Sequence, residues 1–131
     1  MAMTPELAAL AATALIHAAA VFWSQAYLNQ DVGAKANASP RDDLPALSQG
    51  TQRLRRALGN HVENIGLFIS AVVIVQMSGQ NSWFTAACAW VFVVARALYL
   101  PAYLYGWAPW RSVIFMVGFV ACFAMIAAAF V

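Results

Sequence analysis

Four polar side chains recur down one side of a segment that should lie in a membrane. They are Arg53, Arg56, Asn60 and Glu63, in the run RLRRALGNHVENIGLF. At about 100° per residue these positions share a sector of roughly 80° on a helix. An apolar run from Ile65 to Met77 follows directly. One ionised group at a bilayer centre costs at least ~2.5 kcal/mol, so several on one face require a polar cavity or a partner. Further on, Arg96, Tyr99 and Tyr103 fall within roughly 60° of one another on a helix, and Arg111 and Ser112 follow a proline. Arginines bind carboxylates bidentately and keep their charge. Asn and Glu receive amide and ammonium donors, and tyrosine sets a hydroxyl beside an aromatic face. Such a set suits a small zwitterionic ligand with several carboxylates, held next to lipid. Arg111 at a helix start would add its charge to the helix's positive end. That pairing would stabilise a thiolate, with Ser112 as a further hydrogen-bond donor.

The elements that position these groups follow from composition. Of 131 residues, 63% are hydrophobic and only 9% are charged, against ~25% charged in a soluble domain. A membrane-spanning helix needs ~20 mostly apolar residues, so four spans nearly use up the chain. The expected fold is all-α: one domain over 1–131, an up-down membrane four-helix bundle with spans near 5–29, 47–77, 82–105 and 109–131. Between the first two spans, NQDVGAKANASPRDDLPALS reads as a polar loop broken by Gly33, Pro40 and Pro45. The first span lacks the basic start of a signal peptide and is expected to be retained. A net charge of +2 gives no electrostatic basis for a nucleic-acid partner. Cys88 and Cys122 lie in apolar runs and read as packing residues, and no metal site is apparent.

All seven basic residues, Lys35, Arg41, Arg53, Arg55, Arg56, Arg96 and Arg111, lie in or near the first and third connections. The positive-inside rule therefore predicts a cytoplasmic location for those connections and an outside location for both termini. Asn37-Ala38-Ser39 matches a glycosylation acceptor but would then face the cytoplasm. In an up-down bundle the start of the second helix, the end of the third and the start of the fourth share one membrane depth, so the three polar groups converge there. Plainer readings stand beside this one. Arg53 and Arg55 also suit topology and lipid anchors. Arg56, Asn60 and Glu63 would also suit an interhelical network. The tyrosines would also suit interfacial aromatics, as Trp107 and Trp110 do. His17 reads as a hydrogen-bonded packing residue, and His61 lies off the Asn60 face.

The order R-x-x-x-N-x-x-E (Arg56, Asn60, Glu63), R-x-x-Y-x-x-x-Y (Arg96, Tyr99, Tyr103) and A-P-W-R-S (Ala108 to Ser112) resembles the MAPEG family, the membrane-associated proteins in eicosanoid and glutathione metabolism, in a bacterial-type form. Within that pattern, Gly66 stands where many members carry proline, Phe115 lacks a hydroxyl some members have, and the first helix carries no arginine. The resemblance implies a homotrimer with glutathione as co-substrate, bound between subunits near the cytoplasmic face. It implies a transferase or peroxidase acting on lipophilic electrophiles or hydroperoxides. Arg56, Asn60, Glu63, Tyr99 and Tyr103 would bind the tripeptide, Arg53 and Arg96 would support them, and Arg111 with Ser112 would stabilise the thiolate. The expected location is a bacterial inner membrane with both termini periplasmic. Two other readings remain: a non-enzymatic lipophile-binding member of the family, and a small proton-coupled multidrug exporter. The exporter would need one membrane carboxylate but not the arginines beside it.

Overall fold

Thr4 opens the first helix by accepting a hydrogen bond from the Leu7 N–H, and Pro5 fills the first turn, where its missing N–H costs nothing. In the computed structural model, which describes residues 2–131, this helix, α1, runs Pro5–Ala38. The other helices are α2 (Gln49–Ser78), α3 (Trp83–Leu104) and α4 (Trp110–Ala128). All four are long and apolar enough to cross a membrane, and the described residues contain no strand. The ends are set by local chemistry. Ser48 caps α2, and Gly79 at φ 69 ends it in the left-handed conformation. Ser82 and Thr85 form a capping box at the start of α3.

The largest difference from the sequence expectation lies after Asn29. The segment read as loop stays helical to Ala38, interrupted only at Gly33, where φ is 83. Asn29 to Val32 contains no helix breaker, so only the glycine turns the chain. The turned segment comes back alongside α1. Buried Asn37 donates through Nδ2 to Gln25 Oε1 (2.8 Å) and Asn29 Oδ1 (2.7 Å). Arg41 then grips Asn37, with Nε on its carbonyl (2.8 Å) and Nη2 on its Oδ1 (2.6 Å). At the other end of the chain, α4 ends at Ala128, three residues before the terminus.

α1 packs on α2 and α3, and α4 on α3 and α2. The core has two apolar layers. One gathers Ala9, Phe68, Val72, Val75, Phe92 and Met125, with the Phe68 and Phe92 rings stacked 4.1 Å apart. The other gathers Ala20, Ala57, Tyr99 and Leu100. Gly118 lets α4 approach α3 closely: a Cβ there would sit 3.2 Å from the Ala95 Cβ. Glu6, in the first turn of α1, is buried and accepts from the Thr85 hydroxyl at the start of α3. Its negative charge thus sits at two positive helix ends.

The basic residues other than Arg96 cluster where α1 ends, α2 begins, α3 ends and α4 begins. With Ala38→Cys and Gln80→Cys as reporters in intact cells, a membrane-impermeant thiol reagent is expected to label position 80 and not 38. Labelling of 38 alone would reverse the orientation.

Candidate functional site

α2 enters the basic end with Arg53, Arg56 and Asn60 one turn apart, and α3 leaves it with Arg96, Tyr99 and Tyr103 at similar spacing. Because the helices run antiparallel, Arg56 meets Tyr103 and Asn60 meets Arg96. Arg56 Nε donates to the Tyr103 hydroxyl (3.1 Å). Arg111, from the first turn of α4, lays its guanidinium 4.8 Å from the Tyr103 ring centroid. One tyrosine thus contacts two cations from different helices, an arrangement favoured by the ring quadrupole. Arg96 Nη1 donates to Asn60 Oδ1 (3.2 Å), and its guanidinium lies 4.5 Å from the Tyr99 ring centroid. Tyr99 and Tyr103 contact edge to face at 5.8 Å, which joins the two clusters.

Not every expected residue joins them. Arg53 turns to the end of α3, with Nη1 on the Leu104 carbonyl (3.1 Å) and its guanidinium under Gly106. It closes the helix end rather than facing the opening. Glu63 is exposed two turns from Arg56 on the same side of α2, and it lines a groove of about 480 Å³ with Arg41, Arg55, Ser24 and Gln25 instead of joining these clusters. Ser112 diverges from Arg111 and lines the apolar α3–α4 groove with Cys88, Val91 and Val113. Tyr99 is buried, so Tyr103 is the ring nearer the surface.

The start of α4 also differs from expectation. No side chain caps it. The N–H groups of Arg111 and Ser112 bond to the carbonyls of Trp107 (2.8 Å) and Pro109 (3.1 Å). The helix therefore offers its dipole but few free donors, and the Arg111 guanidinium carries most of the positive field. Alongside run two apolar grooves between α3 and α4, of about 400 and 680 Å³. Trp90, Val94 and Leu98 line the first, and Met116 and Val120 the second.

Two residues that sequence patterns did not single out enter the site. His61, read as lying off the Asn60 face, is fully buried and accepts from Arg96 Nε through Nδ1 (3.2 Å). Adjacent helix positions point about 100° apart, but a long guanidinium reaches both. Arg41 reaches the α1–α2 groove because the chain turns back at Gly33. His17, expected to be a hydrogen-bonded packing residue, has its Nδ1 buried without a partner among the described residues.

A family model described as the MAPEG family matches residues 7–131. No curated protein and no solved structure matches the chain.

Proposed function

The chain belongs to the MAPEG family, and from that premise we propose that this integral membrane protein is a glutathione-dependent transferase or peroxidase acting on lipophilic electrophiles or hydroperoxides. The observation that carries the reading is the Arg56–Tyr103–Arg111 cluster, with an apolar groove lined from Ser112, the residue after Arg111. Arg56 and Arg111 supply charge for carboxylates and a thiolate. The groove supplies a place for a partner too apolar to wait in water. Holding both reactants on one protein turns a bimolecular encounter into an intramolecular one. In this account Arg111 stabilises the attacking sulfur. Arg56, Asn60, Glu63 and Tyr103 hold the tripeptide, Tyr99 shapes the floor beneath, and Arg53 and Arg96 brace the helices around it. Ser112 faces the groove and meets the lipophilic reactant. The test is conjugation of glutathione to an aryl halide by purified protein in mild detergent. Turnover above the uncatalysed rate is expected, and none at saturating glutathione would refute the enzymatic reading.

A second reading, lipophile binding without catalysis, is favoured by the size and apolar lining of the α3–α4 grooves. It predicts binding of a lipophilic fluorophore with no glutathione turnover.

We propose that the protein works as a homotrimer. Arg56 and Glu63 are both exposed on α2, and a ligand touching both would lie along a helix face that a single bundle leaves open. A second copy would cover that face and spare the charges contact with lipid. Native mass spectrometry is expected to give a mass near three times 14.1 kDa. A monomer that keeps full glutathione binding would rule this out.

A further inference from the structure

Asn60 is half-buried at the edge of the polar face. An amide shows a ligand either its oxygen or its nitrogen, and the choice depends on what holds the other atom. Here the other partner is Arg96, which has donors and no acceptor. Its Nη1 lies 3.2 Å from Asn60 Oδ1, so the amide oxygen is committed and the NH₂ group remains. Arg96 is itself only 3% exposed and acts through Asn60 rather than by touching a ligand. Its angle is set by the Tyr99 ring at 4.5 Å and by His61, whose Nδ1 accepts from Nε at 3.2 Å. Because arginine only donates, His61 Nδ1 must carry the lone pair, and the ring hydrogen lies on Nε2. One neutral tautomer is selected. The His61 ring lies 5.2 Å from that of His17. His61 Nε2, His17 Nδ1 and Arg96 Nη2 are all buried without partners among the described residues, so His61 and Asn60 are the hydrogen-bond acceptors that hold this guanidinium.

We infer that His61 is a positioning residue: it fixes Arg96, and through Arg96 it makes Asn60 a hydrogen-bond donor, so the ligand group opposite Asn60 is a carboxylate or an amide carbonyl. This reverses the sequence expectation that Asn60 receives amide or ammonium donors. The inference rests on the glutathione reading above for its ligand, but the tautomer and the network do not.

The experiment has two arms in purified, detergent-solubilised protein. In the first, glutathione binding is measured by calorimetry. His61→Leu removes the acceptor, frees Arg96 to swing and lets the Asn60 amide turn over, so affinity should fall about tenfold. His61→Asn places an amide oxygen near the former Nδ1 and should recover most of that loss. Asn60→Asp keeps the acceptor for Arg96 but has no N–H, so it should lose binding by about tenfold or more. A purely structural His61 would instead lower the melting temperature and leave affinity unchanged. That result, or wild-type affinity in Asn60→Asp, overturns the inference. In the second arm, nitrogen-15 histidine spectra are recorded without glutathione. His61, assigned by its absence in His61→Asn, should show the Nε2–H tautomer in the wild type and a mixture in Arg96→Met. A mixture in the wild type overturns the inference. A locked tautomer in a protein that does not bind glutathione upholds the network and refutes the glutathione reading.

Discussion

Arg111→Ala is expected to bind glutathione close to wild type yet lose the thiolate and most of the turnover. The guanidinium lies over the Tyr103 ring in the first turn of α4 and forms no ion pair among the described residues, so its charge is free to act on a bound sulfur. The backbone N–H groups beside it are already bonded, so removing the guanidinium leaves only the helix dipole. Free thiols ionise near pH ~8.5, and a neighbouring cation lowers that by one or more units. Each unit is worth ~1.4 kcal/mol. At neutral pH the variant should therefore turn over more than about tenfold slower. The sign of the pH response checks the cause. Raising the pH towards ~8.5 ionises an unassisted thiol, so the variant should regain rate while the wild type changes little. Unchanged turnover in Arg111→Ala, or no recovery at high pH, would remove Arg111 from the mechanism.

Arg56→Ala should weaken glutathione binding by roughly ten- to hundredfold, the loss of a charge-assisted bond worth ~1.5–3 kcal/mol. Arg56 is exposed and its partner in the described residues is the Tyr103 hydroxyl, so the fold should survive, with a melting temperature close to wild type. Glu63→Gln tests the same side of α2 two turns further along. Glu63 has no hydrogen bond or ion pair among the described residues, so no internal partner is left unsatisfied by the change. If Glu63 holds the ligand's ammonium, affinity drops by a similar factor. If both variants bind glutathione normally, the polar face of α2 is a structural feature and the ligand lies elsewhere. A loss in Arg56→Ala alone would confine the ligand to the α2–α3–α4 side and leave the Glu63 groove to another role.

Much of this was legible because membrane helices obey few rules. Four apolar runs of adequate length, with proline or small polar residues at their starts, fixed the helix count and left most ends within two residues. The shared level of Arg56, Asn60, Arg96 and Tyr103 follows from spacing and the up-down order of the helices, whereas the pairing of Arg56 with Tyr103 and of Asn60 with Arg96 is set by the helix register in the structure. Three features lie outside what sequence patterns carry. The α1 extension was hidden because polar residues at a membrane surface can be helical, and a single glycine turns a helix as well as ending it. The divergence of Ser112 from Arg111 is not visible in the sequence, because neighbours point about 100° apart on a helix and adjacency does not give a shared face. His61 shows the same geometry in reverse: its position lies about 100° from Asn60 on the helix, but one long arginine joins the two side chains.

The central claim is that this chain binds glutathione and ionises it. Ultraviolet difference spectroscopy of the wild-type protein in mild detergent at neutral pH tests it most directly. Adding glutathione should produce a saturable thiolate absorbance, while the oxygen analogue with serine in place of cysteine should bind and produce none. A protein that shows no thiolate at saturating glutathione would contradict the account.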